Sequence, residues 1–362
     1  MKIGIITHYD VHNHGALLQL NALIQVLRTK FDADAKALQY DKNYDFLGHE
    51  LKAKYVLSFQ SVKIYFKYLF QRGIRLFLFN LQMKKIFENF KCTNTLIGDY
   101  YSDCPKLDAV IIGSDEVFAL HTGPTPVLFG HGLPASKVFS YAGCFGPTTL
   151  EDINKLNCEA LVSSGLNKMQ GLGMRDENSC LITKSLTNRS TTLNVDPVIL
   201  YGYKSELEYL SAPKLSKYLL VYAYETRMND AKEVAKIKTF AQQKGLLIVC
   251  AGFYHKWADK NINTDPIELL RYFKFAEMVV TDTFHGCVLS LITQREVAVK
   301  LRDNSNKLLN LLQEYKIEDR IINDNWELSK IFANKENQEY IAQEITRRRN
   351  QSMEYLTNMI NS

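Results

Sequence analysis

Val279-Val280-Thr281-Asp282-Thr283-Phe284-His285-Gly286-Cys287-Val288-Leu289-Ser290-Leu291 is the stretch on which the fold turns. The apolar pair Val279-Val280, preceded by Phe275 to Met278, reads as the end of a short buried strand. Polar Thr281, Asp282 and Thr283 interrupt the run, and Gly286 permits a sharp turn. The small and apolar residues that follow suit a helix packed on a sheet. His285 is thereby expected where a parallel strand ends and a helix begins. Open α/β sheets bind ligands at that place, and helix N-termini there favour anions. Taken alone, the same residues also describe a capping turn with a hydrogen-bonded histidine.

The strand-then-helix pattern recurs on either side. Lys2 to Thr7 reads as a first buried strand, followed by the polar loop His8 to Gly15. Leu17, Leu18, Leu20, Leu23, Ile24 and Leu27 then keep a broad helical face. The loop is no GxGxxG fingerprint, which leaves a dinucleotide reading weak. His8, His12 and His14 raise a metal site, but no cysteine or HExxH pattern accompanies them, and contacts to an anionic ligand or plain loop polarity are preferred. Leu107 to Ile112 runs as a strand into Gly113-Ser114-Asp115-Glu116, which does not complete a Gly-x-Ser-x-Gly nucleophile turn. Asp115, as a base or hydroxyl-binding group, is therefore of more interest than Ser114 as a nucleophile, although both residues also make good helix caps. Lys137 to Pro147 is a further strand with a Gly-rich turn. Arg175 follows an apolar stretch and is placed to clamp a carboxylate or phosphate, or else to pair with Asp176.

Val195 to Leu200 closes this half, and the polar, Pro213-containing run Lys204 to Lys217 reads as a linker. Tyr218 to Tyr224 begins a second sheet. Lys232 to Lys244 is a helix, Gly245 to Gly252 a strand, Pro266 to Phe275 a helix and Glu296 to Lys300 a last strand. The class is α/β: two Rossmann-like domains facing a cleft, at residues 1–203 and 218–330, with a C-terminal helical segment at 331–362. Arg347, Arg348 and Arg349 read as a solvated face of that segment.

Composition bounds the function. Of 362 residues, 46% are apolar and 23% charged, ordinary for a soluble globular chain. A net charge of +5 is too weak to argue for nucleic acid. The N-terminal apolar run is too short for a signal peptide, and no run of about 18 apolar residues suits a membrane span. Seven scattered cysteines without CxxC spacing argue against a disulfide framework and a zinc ribbon, and the cytoplasm is the expected compartment. From Lys52 to Lys91 there are nine Lys or Arg against one acid, Glu88, interleaved with aromatic residues. Such a segment fits a membrane-surface helix equally with ordinary helices whose basic stems cover a core face. Peripheral contact with the inner membrane face thus stays open.

Taken in order, Asn13-His14-Gly15-Ala16-Leu17-Leu18-Gln19, Ile112 to Phe118, Ser140 to Gly146, Arg175-Asp176, Asp196-Pro197 and Thr281 to Gly286 resemble the polysaccharide pyruvyl transferase family over roughly residues 1–320. The resemblance implies a GT-B-like architecture. It also implies transfer of pyruvate from phosphoenolpyruvate onto two hydroxyls of a sugar or lipid-linked oligosaccharide, forming a ketal in cell-surface polysaccharide synthesis without a metal or cofactor. Several relatives carry an arginine two residues before the histidine and hold the donor with it, whereas this chain has Thr283. Donor binding is then expected from Arg175, Arg227, Gly252, Asp282, Thr283, Gly286, Lys300, Arg302 and Lys307. Acceptor binding is expected from Asn13, His14, Gly15, Ser114 and Tyr141. His285 is the expected general acid, since a histidine protonates near neutral pH, and Asp115 the expected acceptor of the hydroxyl proton. One rival shares the architecture, a glycosyltransferase using a nucleotide sugar; a rival of a different class is a non-catalytic glycan-assembly binding protein.

Overall fold

The computed structural model describes residues 1–41, 45–46, 49–50, 73–302 and 306–362. Seven parallel strands form the first sheet: β1 Lys2–Ile6, β2 Asp34–Gln39, β3 Ile97–Tyr100, β4 Ala109–Ile112, β5 Val138–Gly143, β6 Leu172–Met174 and β7 Thr192–Leu193. Five more form the second: β8 Tyr218–Tyr222, β9 Leu247–Ala251, β10 Lys260–Ile262, β11 Met278–Thr281 and β12 Val297–Val299. The first runs β3-β2-β1-β4-β5-β6-β7 and the second β10-β9-β8-β11-β12. In each, the order reverses beside the opening strand, between β1 and β4 and between β8 and β11. Such reversals leave a crevice at the C-terminal strand ends. Strands β4 and β8 are buried at every residue, because helices cover both faces of a parallel sheet.

The helices that matter here are α1 His14–Phe31, α2 Ile74–Thr93, α3 Glu177–Thr187, α4 Pro197–Tyr201, α5 Ala231–Gln243, α6 Pro266–Lys274, α7 Phe284–Thr293, α8 Asn306–Glu314 and α9 Gln338–Asn361. Helix α1 is buried continuously from His14 to Ile24, because it lies between α4 on one side and α6 on the other. One apolar core therefore runs from Ile3 and Ile5 of β1 through Leu17, Leu20 and Leu23 to Leu220 and Val279 of the second sheet. Helix α9 returns to the first sheet. There Ser352 Oγ accepts from the Val195 amide at 3.0 Å, and the Tyr355 hydroxyl donates to Ser140 O at 2.8 Å.

One expectation is corrected, and one pair of alternatives is narrowed. Of the arginine run on α9 only Arg347 stands well exposed: Arg348 pairs with Glu344 and Glu314, and Arg349 donates to Ile199 O beside Gly202. The basic aromatic segment begins in residues 51–72, outside the described residues. Its described part, α2, buries Phe79, Met83, Phe87 and Phe90 in the core, so these aromatics follow the core-face reading.

His14 couples the two sheets to pH. It opens α1, is 1% exposed, and its Nε2 lies 2.8 Å from Thr264 O ahead of α6. Burial pulls its pKa from the ordinary 6.5 down to about 4, against the raising effect of the Thr264 contact. The folded protein thus holds His14 neutral where the unfolded chain would protonate it, and stability is lost as pH falls from 6.5 toward 4. That shift corresponds to about 3 kcal/mol. Urea unfolding of the wild type and of His14→Gln at pH 7 and pH 4.5 is expected to show the wild type losing about 2–3 kcal/mol more than the variant; equal losses would mean that His14 does not carry the linkage.

Candidate active site between the two sheets

The turn into α7 is fixed by side-chain oxygens. Thr281 Oγ1 donates to Tyr222 O at 2.6 Å, and Thr283, the N-cap, accepts from the Gly286 amide at 2.9 Å. Residue 286 must be glycine because a Cβ there would overlap Thr281 Oγ1. His285 is consequently held in the first turn of α7, and its ring packs on Gly15 of α1, where any Cβ would overlap it. Its Nε2 is buried, has no hydrogen-bond partner among the described residues, and lies 3.9 Å from Asp196 Oδ2.

Asp196 is the centre of the site. As N-cap of α4 it accepts from the Val198 amide through Oδ1 at 2.9 Å. Its Oδ2 accepts from Gln19 Nε2 of α1 and from Arg175 Nη1 at 3.3 Å. Arg175 Nη2 lies 3.0 Å from both Asp115 Oδ1 and Cys144 Sγ, and its guanidinium stands 4.7 Å from the centre of the Phe284 ring. Lys307 of α8 reaches across from the second half. Its Nζ is 2.6 Å from Glu116 Oε1, 3.8 Å from Asp115 Oδ1 and 5.6 Å from the same Phe284 ring centre. The loops after β4, β6 and β7 thus meet α7 and α8 in one crevice.

Electrostatics follow from these contacts. Burial would raise the Asp115 carboxyl, but Lys307 and Arg175, with smaller help from His285 and His8, hold it far below the usual carboxylate range. Burial lowers the His285 pKa, and Lys307 and Arg175 lower it further against the raising pull of Asp196 and Asp115. The imidazole is therefore neutral near pH 7 in the empty crevice, and an arriving anion would favour its protonation. Cys144 is pushed up to about 12 by burial, despite Arg175 beside it, and stays a thiol.

The remaining expected residues are distributed unevenly. Gly15 lies against His285, and Arg175 and Lys307 stand in the charged cluster. Asn13 caps α1 through Oδ1 and donates to the Tyr224 hydroxyl at 3.1 Å, with Arg227 exposed over that tyrosine ring at 5.0 Å. Gly252, at φ +82°, makes room for the His14 ring. Arg302 is not in the cluster; it is engaged by Glu233 at 2.8 Å and by Asp282 at 3.1 Å. Burial raises the Asp282 carboxyl, and its Oδ1 has no hydrogen-bond partner among the described residues. Lys300 is turned to Asp324 and Trp326. Tyr141 is a correction: it is fully buried in the core, and its hydroxyl donates to Val195 O at 3.0 Å, leaving nothing to offer an acceptor. Ser114 is buried with its carbonyl accepting from Thr7 Oγ1 at 3.0 Å. His8 and His12 face Glu116 O and Glu88, so the loop histidines do not converge.

Asp196, Gln19, Glu116 and Phe284 complete the cluster without having been singled out as site residues. All four lay within stretches quoted for the family resemblance, and the Asp196-Pro197 pair also marks a helix start. Asp196→Asn retains an oxygen for the Val198 amide but removes the charge facing His285. It is expected to fold, to lower the His285 pKa further in a proton NMR titration, and to cut turnover about 100-fold; an unmoved titration would remove Asp196 as the group that positions and charges the imidazole.

No protein of curated function matches the sequence. Among solved structures, S. aureus MnaA, solved with UDP, aligns over 100% of this chain and 98% of its own at 10% identity and a TM-score of 0.53. A Listeria monocytogenes protein described as a UDP-N-acetylglucosamine 2-epimerase aligns over 94% of this chain and 90% of its own at 12% identity and a TM-score of 0.52. At such identities the likeness is one of fold, and the fold is GT-B-like, as the paired parallel sheets and their crevice require. Residues 13–304 match the family model for polysaccharide pyruvyl transferase, a span that includes His285, Asp196, Arg175 and Asp115, and the chain belongs to that family.

Proposed function

We propose that the protein transfers the pyruvyl group of phosphoenolpyruvate onto two hydroxyls of a sugar, giving a cyclic ketal and phosphate. The observation that carries this reading is the His285 imidazole, with an unpartnered Nε2 3.9 Å from Asp196, beside the buried Arg175 and the half-buried Lys307. A donor with a carboxylate and a phosphate needs paired cations. Arg175 and Lys307 stand in the cluster with Asp115 and are placed to serve, whereas Lys300 and Arg302 are turned away from it to Asp324, Glu233 and Asp282.

The donor's arrival would change the state of both proposed catalytic residues. In the empty crevice Arg175 and Lys307 rest on Asp115. When the donor's anionic groups claim these cations, Asp115 loses the partners that hold its pKa down and becomes a better base. The same negative charge raises the His285 pKa and loads it with a proton. His285 then protonates the methylene carbon of the enol, and positive character develops at the adjacent carbon. A sugar hydroxyl bonds to that carbon while its proton passes to Asp115. Loss of phosphate breaks the carbon–oxygen bond, a second hydroxyl closes the ketal, and its proton leaves with the phosphate. Protons and charge balance over the sequence, and no redox step is involved.

The test is phosphate release from phosphoenolpyruvate with a panel of galactose, glucose and N-acetylmannosamine acceptors. His285→Gln is expected to lower turnover by about 10²–10⁴-fold in a folded protein. Asp115→Asn is expected to lower turnover comparably while donor affinity, measured by calorimetry, stays equal or rises, since a competitor for Arg175 and Lys307 is gone. Near wild-type turnover in either variant would remove that residue from the mechanism. Release of a nucleotide from a nucleotide sugar, with no phosphoenolpyruvate turnover, would favour a glycosyltransferase instead.

A further inference from the structure

We infer that the outer face of α2 seats the protein on an anionic lipid surface. The inner face of this helix is spent in the core through Phe79, Met83, Phe87 and Phe90. Its first turns nevertheless expose Ile74 at 65%, Leu78 at 52% and Leu81 at 49%, the largest such cluster on any single helix among the described residues. The i, i+4, i+7 spacing stacks the three on one stripe. Over a rise of 1.5 Å per residue that stripe is roughly 10 Å long, too short to span a bilayer and suited to lying in its interface.

Charge selects the occupant. Helix α2 carries Arg75, Lys84 and Lys85, and its one acid, Glu88, is taken by Lys91 at 2.8 Å. All three are exposed, and none forms an ion pair among the described residues. Leucine and isoleucine flanked by unpaired cations are the pattern that binds acidic headgroups, the apolar stripe entering the acyl boundary and the cations remaining at the phosphates. A second copy of the chain is a poor occupant, because apposing two such faces would bring like charges together. The position fits as well. Asn80 of α2 donates to Glu225 at 3.1 Å, and Asn263 donates to Gln82 at 2.6 Å, which ties the helix to the rim carrying Tyr224 and Arg227. A protein lying on α2 therefore brings the rim of its crevice to the lipid surface.

Flotation of the full chain with vesicles tests the inference without any activity readout. Binding is expected to vesicles of phosphatidylcholine mixed with phosphatidylglycerol, to weaken with added salt, and to be slight with phosphatidylcholine alone. Both Leu78→Glu/Leu81→Glu and Arg75→Gln/Lys84→Gln/Lys85→Gln are expected to reduce it about tenfold or more. Their thermal midpoints should match the wild type, because the altered side chains are exposed. A wild type that does not float would overturn the proposal, as would variants that float equally. So would a dimer in sedimentation velocity that Leu78→Glu/Leu81→Glu dissolves, for the stripe would then belong to a second copy.

Discussion

A buried carboxylate can persist only where its charge and lone pairs are met by the surrounding protein, and Asp196 imposes that condition on the whole crevice. Its partners come from four places: Gln19 on α1, Arg175 after β6, the Val198 amide at the start of α4, and His285 on α7. The first three belong to the first half of the chain and the last to the second. The contact that orients the candidate acid is thus also part of the joint between the sheets. Displacing one half would separate His285 from the carboxylate that raises its pKa, so the joint and the chemistry are held to the same geometry.

Close packing reinforces that constraint. The His285 ring occupies the volume that a side chain at residue 15 would fill, and the His14 ring occupies the volume that one at residue 252 would fill. Two histidines, one from each half, are in this way fitted against a glycine of the other. A ring locked by shape needs fewer hydrogen bonds to stay in place, which explains how His285 Nε2 can be left without a partner and still be well positioned. An orphaned buried nitrogen is costly where nothing uses it. Beside Asp196 and two cations it is the atom a reaction would use.

The architecture was legible because several parallel strands covered on both faces read as unbroken apolar runs that end in polar residues, in places with a glycine. The position of His285 followed from the same punctuation. The importance of Asp196 did not, since Gln19, Arg175 and His285 lie far from it in sequence and meet it only once the sheets are assembled. Tyr141 was misread for the opposite reason: its place in the Ser140–Gly146 motif of the resemblance suggested an acceptor contact, while its strand register points it into the core toward Val195. Lys300, Arg302 and Lys307 show the limit most plainly. Their charges are alike and their positions lie within eight residues, but the end of β12 aims the first two at Asp324, Glu233 and Asp282, while α8 carries the third into the crevice.

Thr283 shows how the site accommodates the lack of an arginine at that position. A threonine there supplies the oxygen that caps α7, a hydrogen bond that an arginine side chain, having no acceptor, does not make. The cap fixes the first turn and with it Phe284, whose ring lies within reach of both Arg175 and Lys307. An aromatic face offsets part of the desolvation that buried cations suffer without neutralising them, and it leaves their charge available to an anion. The capping oxygen at 283 and the ring at 284 therefore place an aromatic face beside two cations of the crevice.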